Sequence, residues 1–392
     1  MWSAILIFVD AASAHGDEFG VSALTARTDA PEEVWAAVDG WGLIHSTDSA
    51  ASFDWICDEA IGTETVYDLL AWEDGVAFVG TVDGVLRVDE TCSGTSVTGL
   101  GEGFVLDLVR WQDHAVAALI GPERGGIYLC DDAGCAPTPL EGAAYYPKSL
   151  AVDGDTLWIT LVHTDTLAAE LHRTTDGVTF TPVHSWPDAD TDPRLLWAHG
   201  DTVYLWTRPR DAASEPGFSR STDGGATFTE TFTTGYYTDP TPGSLVRDDG
   251  ATVLVGSWYG ARTWGSTDGG AHFTEVTETA PALKCSVDLG DHALTCNDHL
   301  ADGFDISSTT DAVDFTPLTC LDEVRPAECA EATCEPYLDA WITAGAYGGG
   351  RCHPDTGDTG TPDTPPCGCE TAPNAGISLL AAGLAWVARR RT

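Results

Sequence analysis

Basic residues are scarce in this chain: 18 stand against 61 acidic ones, for a formal charge of −43 over 392 residues. Only two of them, Lys148 and Lys284, are lysines. No face can therefore carry the broad positive field that a phosphate backbone requires, and nucleic acid is excluded as a partner. The acidic excess favours solubility and names no ligand by itself. Catalytic signatures are equally thin. No G-x-S-x-G, H-E-x-x-H or P-loop pattern occurs, and the 11 histidines lack the spacing of a helical metal site. No catalytic residue and no metal site are assigned, and calcium is the one cofactor that the acidic composition leaves open. The nearest approach to a calcium loop is Asp188-Ala189-Asp190-Thr191-Asp192. It has Pro193 where the turn glycine belongs and His199 where a bidentate glutamate belongs, so it is not an EF-hand.

Cysteine, in contrast, is plentiful, and its use points to export. Twelve are present, ten of them between Cys57 and Cys352. A cytosolic chain keeps so many mainly for metal, yet no C-x2-C pair recurs with a second pair at finger-like distance. Disulfides are the better expectation. Cys130 and Cys135 stand at opposite ends of one tight turn, and Cys285 and Cys296 are placed to join the two strands of a hairpin. Residues 1–14, MWSAILIFVDAASA, read as a signal peptide: an apolar stretch closed by the small-x-small pattern Ala12-Ser13-Ala14.

The organising feature is a repeat. STDGGATF at 221–228 and STDGGAHF at 266–273 are near-identical, STDSAASF at 46–53 is a third copy, and TTDGVTF at 174–180 and TTDAVDF at 309–315 are shortened ones. Degenerate versions at 86–90 and 129–135 fill the two remaining gaps. Aligning Asp48, Glu90, Asp132, Asp176, Asp223, Asp268 and Asp311 gives intervals of 42, 42, 44, 47, 45 and 43 residues. That is the period of a four-stranded propeller blade. Within each repeat, apolar alternation of period two gives four short strands: 21–26, 34–38, 43–46 and 53–57 in the first, and 244–248, 252–258, 262–266 and 273–276 in the sixth. The expected fold is all-β, a seven-bladed propeller over 15–319. In each box the aspartate can accept hydrogen bonds from its own turn, the glycine tolerates positive φ and the aromatic plugs the turn against the blade. The aspartates are thus expected to be structural.

These motifs resemble the Asp-box or BNR-repeat propellers, whose members include sialidases, sortilin-type receptors, xyloglucan-degrading hydrolases and photosystem assembly factors. The resemblance covers about residues 19–318 and implies the fold, while leaving function open. A sialidase would carry a Y/F-R-x-P motif near its N-terminus, and the one early arginine, Arg27, sits in LTARTDAP instead. Xyloglucan hydrolases of this kind set two propellers around a cleft, and this chain holds one. A glycosidase working through a carboxylate pair stands as the alternative to a binding or scaffolding propeller. Carboxylates or arginines converging on the channel mouth would favour an enzyme, and a flat aromatic face would favour binding. By the same resemblance, the loops opposite the boxes form the ligand face. They contain Trp41, Arg124, Tyr145, Tyr146, Trp186, Arg210, Tyr236, Tyr237, Trp258 and Tyr259, a composition suited to carbohydrate or peptide at a cell surface.

After the blades, Cys320, Cys329, Cys334 and Cys352 mark a Cys-rich extension (320–353) with a short helix around 337–342, expected to cap the ring through disulfides. A Thr/Pro/Gly/Asp linker follows at 354–366. Its two DTG tripeptides lie where no pocket could raise a pKa, so they are linker and not protease. The tail, 367–392, orders Cys367-Gly368-Cys369, a 12-residue apolar run at 377–388 and three arginines. It is shorter than the roughly 20 residues that span a bilayer unaided, and it resembles the MYXO-CTERM sorting signal. That resemblance implies processing near Cys367 or Cys369 and display at the outer membrane or cell surface, the tail being the membrane contact.

Overall fold

A computed structural model describes residues 20–344, apart from 28, 64, 74, 101–102, 122–124, 143, 188–190, 211–214, 234–242, 248–249, 258–261, 298–301, 303, 320 and 322–323. The leader at 1–14, the linker, Cys352 and the tail with Cys367 and Cys369 lie outside the described residues. Seven antiparallel sheets follow one another along the chain, each holding four strands in sequence order. Short antiparallel turns make this the natural result of alternation: a two-residue turn returns the chain beside itself, and each hairpin adds the next strand outward. Blade one is Val21–Ala26, Val34–Val38, Gly42–Ser46 and Asp54–Cys57, within a residue of the sequence expectation. Blade six is shorter than expected at both edges, with Ser244–Val246 innermost and Thr274–Glu275 outermost. First strands of successive blades meet, among them Phe104–Trp111 with Tyr145–Asp153 and Tyr145–Asp153 with Thr191–His199. Cys285–Asp288 of the last blade returns to Val21–Ala26 of the first, closing the ring. The fold is a seven-bladed β-propeller.

The core is a ring of blade-to-blade interfaces. Trp206 and Phe218 of blade five pack on Val253 and Val255 of blade six, and Trp158 and Leu171 of blade four on Leu195 and Leu205 of blade five. A fully buried side chain such as Phe218 contributes roughly 1.5–3 kcal/mol relative to exposure. The turns between third and fourth strands join this packing. Gly270, at φ +73°, lies so close to blade five that an added Cβ would stand 2.6 Å from the Phe218 ring. Glycine is required there twice over, for the left-handed backbone and for the approach. Blade one manages the same turn with Ser49 at φ +62° and Ala50 at φ +64°, and blade seven with Ala312 at φ +59°.

Propeller ends need joining, and among the described residues no strand is exchanged between the first and last blades. A C-terminal strap does the work. Arg325–Pro326 pairs in parallel with Asp54 and Trp55 on the outer strand of blade one. Helix Glu331–Ala344 follows, and disulfides Cys57–Cys334 and Cys92–Cys329 bind the strap to blades one and two across 277 and 237 residues of sequence. Crosslinks closing loops of this length typically contribute about 2–4 kcal/mol by restricting the unfolded chain. Cys130–Cys135 and Cys285–Cys296 pair locally. Four disulfides suit an oxidising, extracellular environment. No helix among the described residues is long and apolar enough to cross a membrane.

Candidate functional site

Each blade has two ends. Turns joining first to second and third to fourth strands share one face; loops joining second to third strands, and one blade to the next, share the other.

On the turn face the carboxylates are consumed by their own turns. Asp223 Oδ1 accepts from Thr227 N at 2.9 Å and from Ser221 Oγ at 2.8 Å, while Oδ2 accepts from Thr227 Oγ1 at 2.6 Å. Ser221 Oγ in turn accepts from Gly225 N at 2.9 Å. Blade one repeats this with Asp48, Ser46 and Ser52, and blade six with Asp268, Ser266 and His272. Asp176 accepts from Val178 N and Thr179 N, and Asp311 from Val313 N and Asp314 N. Donors around an anion favour its charged form. The Thr227 hydroxyl and N–H thus hold the Asp223 carboxyl down at about 2, and the Thr179 and Val178 N–H groups hold Asp176 at about 2. Asp268, with His272 beside it, lies further below the usual carboxylate range, and Asp48 and Asp311 are lowered in the same sense. In blades two and three the register moves by one residue. Asp89 accepts from Thr91 N, and Asp131 from Ala133 N and Gly134 N. Glu90 and Asp132, which even spacing selects, do not make those bonds; Asp132 faces Arg87 at 3.5 Å instead. The shift arises because both turns are tighter than the full-length motif.

The opposite face is built differently. Along the inner strands that lead to it, a polar side chain from each of four blades caps a backbone N–H of the next, Thr25 doing so from the turn end of its own strand. Ala71 N donates to Thr25 Oγ1 at 3.3 Å, Leu108 N to Asp68, Leu150 N to Asp107 at 2.6 Å and Leu195 N to Ser149 Oγ at 2.6 Å. Asp68 and Asp107 stand on adjacent inner strands, close enough to act on each other's titration. Desolvation among the inner strands raises both carboxyls, Asp107 to about 6 and Asp68 well above the usual range, the neighbouring carboxylate adding to the effect on Asp68. One proton shared between them satisfies both.

Beside this pair, between blades four and five, lies a knot of cations. Lys148 Nζ sits 3.1 Å from Asp192 Oδ2, and Arg210 Nη2 lies 3.9 Å from Asp192 Oδ1. The Lys148 ammonium lies over the Tyr146 ring at 5.7 Å. Burial lowers the Lys148 pKa against the opposing pull of Asp192, and burial raises the Tyr146 phenol. Arg194, half-buried on the same inner strand as Asp192, acts electrostatically on both Asp107 and Lys148. It makes no hydrogen bond or ion pair among the described residues. Asp192, the last residue of the calcium-like pentapeptide, is therefore an ion-pair partner. Among the described residues no group of three His, Cys, Asp or Glu side chains is arranged to hold a metal.

Of the ten residues expected on the ligand face, the structure brings Tyr145, Tyr146 and Arg210 to this mouth. Tyr145 packs on His163, with ring centroids 4.1 Å apart, and Arg210 Nη1 donates to Leu167 O at 2.7 Å. Trp41 is corrected: it is 2% exposed and stacked on Trp55 at 4.4 Å, a core residue that no ligand can reach. Trp186 packs against His184 and Phe228 at the outer rim between blades. Arg124, Tyr236, Tyr237, Trp258 and Tyr259 lie outside the described residues. Sequence reasoning missed Asp68, Asp107, Ser149 and Arg194. A signal existed: Thr25, Asp68, Asp107 and Ser149 are separated by 43, 39 and 42 residues, the blade period again.

Comparison with known proteins bears on fold alone. The chain is similar to the hydrazine synthase of Kuenenia stuttgartiensis, 12% identical with a TM-score of 0.57 over 78% of this chain and 100% of that one. It is also similar to the GH74 xyloglucanase from Xanthomonas campestris, 13% identical with a TM-score of 0.54 over 76% of this chain and 53% of that one. This chain thus spans about half the length of the xyloglucanase. No family model matches the sequence, and no curated protein matches it.

Proposed function

We propose that this chain is an exported Asp-box propeller displayed at the cell surface, binding a carbohydrate or peptide through the mouth opposite the boxes. The observation that supports this reading is the division of labour between the faces. Turn-face carboxylates are saturated by their own backbone, whereas Lys148, Arg194, Arg210, Tyr145 and Tyr146 gather at the other end. Charged and aromatic side chains assembled at one end of rigid strands suit recognition of a polar ligand. Attachment would follow from the tail, with processing at Cys367 or Cys369 and removal of the apolar run from residue 377.

A glycosidase reading has one observation in its favour, the Asp68–Asp107 pair, but the geometry argues against it. Retaining and inverting pairs stand about 5–5.5 Å and about 6.5–9.5 Å apart, with the sugar between them. These two carboxyls stand on adjacent inner strands, and each already serves a backbone N–H of the next blade. Their role in this reading is to join blades.

Probing a combined glycan and peptide array with the purified protein tests the binding role. Retention of a defined set of ligands, lost on Tyr146→Ala with unchanged melting, is the expected result. Turnover of a glycan without retention would favour the hydrolase. Mass spectrometry of protein from its native envelope tests the anchor: the expected C-terminal peptide ends near Cys367 or Cys369, and one ending at Thr392 with both cysteines unmodified would point to a plain membrane tail.

A further inference from the structure

We propose that the mouth between blades four and five takes an acidic saccharide, its carboxylate on Arg194 and Lys148. The proposal rests on the binding role above and gives it a ligand class.

Charge comes first. In a chain with formal charge −43, three cations, Lys148, Arg194 and Arg210, gather around one carboxylate, Asp192. The neighbouring Asp68–Asp107 pair adds about one negative charge when it shares a proton. Among these six side chains the excess is about one positive charge, which fits a single carboxylate better than a phosphate or sulfate cluster. Position comes second. Lys148 and Asp192 are each 15% exposed, so the groups are recessed yet open to the mouth, where a charge-assisted bond outweighs its counterpart on an open surface.

Arg194 indicates what would complete the site. It is half-buried beside another cation, with no hydrogen-bonding or ion-pair partner among the described residues. A guanidinium in that position is matched by a carboxylate, which it can hold through two parallel N–H bonds. An acidic sugar supplies that carboxylate on a ring whose hydroxyls can meet the polar side chains around it.

A peptide fits less well. Extended peptides dock by pairing with a free strand edge. The inner edges here already lose Ala71, Leu108, Leu150 and Leu195 N–H groups to Thr25, Asp68, Asp107 and Ser149. Recognition must then come from side chains, which is how sugars are held.

Calorimetric titration of the purified protein with galacturonate and glucuronate disaccharides, their methyl esters and a neutral disaccharide tests the proposal. At least one acid should bind, with its ester and the neutral sugar weaker by tenfold or more. Arg194→Ala should weaken the acid by at least tenfold, Arg194→Lys should recover part of the loss, and Arg173→Ala, removing the same charge from the third strand of blade four, should leave it unchanged. Acid and ester binding equally would overturn the site, and that comparison needs no variant. Binding of neither, or of acidic peptides alone, would overturn the ligand class. A neutral glycan retained regardless of Arg194 would remove this site while leaving the binding face in place; absence of any array ligand would remove both.

Discussion

Asp223 and Asp107 are the same residue type on the same propeller, held in opposite states. Asp223 stands in water at a turn, ringed by donors, and stays ionised to about pH 2. Asp107 stands among the inner strands against another carboxyl and holds its proton to about pH 6. Each still accepts a backbone N–H. The difference teaches that hydrogen bonding alone does not set the charge of a propeller aspartate; desolvation decides it for Asp107. It also separates a face whose acids serve their own turns from inner strands whose acids serve the neighbouring blade.

The comparison breaks most readily at the packing beneath the turns. Gly270→Ala puts a methyl into the Phe218 ring on a left-handed backbone and should destabilise by about 2–4 kcal/mol, read from denaturant unfolding. The loss should fall on stability, with ligand binding intact below the melting point.

Asp107 gives the next largest effect. Asp107→Ala leaves Leu150 N without its acceptor and should cost about 1–3 kcal/mol, whereas Asp107→Asn keeps an acceptor and a donor and should fold normally. The pH dependence distinguishes them. A carboxyl raised on folding contributes stability fully present below about pH 4 and lost as pH rises through about 6, so Asp107→Asn should flatten that part of the profile.

The turn aspartates carry the reverse sign. Asp176 and Asp223 are lowered on folding, so their contribution is present above about pH 4 and is lost as pH falls towards 2. Asp223→Ala should lower the melting temperature at pH 7 by a few degrees and make acid unfolding less steep. Stability profiles of the two variants that bend in the same window would contradict the comparison.

How far the sequence reveals this arrangement depends on whether a feature is local. The boxes, the blade period and the Cys130–Cys135 and Cys285–Cys296 pairs are legible because each is complete within 11 residues or repeats at a fixed interval. Cys57–Cys334 and Cys92–Cys329 are not, because they depend on ring closure bringing the strap back to blades one and two. The mouth is illegible for the same reason. Lys148 and Asp192 are 44 residues apart and meet only because blades four and five lie side by side. Trp41 shows the opposite error: a loop position suggested exposure, and stacking on Trp55 buried it.

The smallest effect refines the turn itself. Ser49 occupies a left-handed position that blades five and six give to Gly224 and Gly269. Ser49→Gly should stabilise by up to about 1 kcal/mol, since the residue is exposed and makes no packing contact to lose. Thermal melting against Gly224→Ala, which should move the other way, checks it.

The most direct measurement sets the two faces against each other in one experiment, with melting temperature and ligand affinity determined for Asp223→Ala and for Lys148→Ala using the best array ligand. Asp223→Ala is expected to melt earlier and bind normally below its melting point; Lys148→Ala, which leaves the recessed Asp192 without its ion pair, also melts earlier but alone binds at least tenfold more weakly. Weakened binding in Asp223→Ala with unchanged melting, and the reverse in Lys148→Ala, would contradict the division of the two faces.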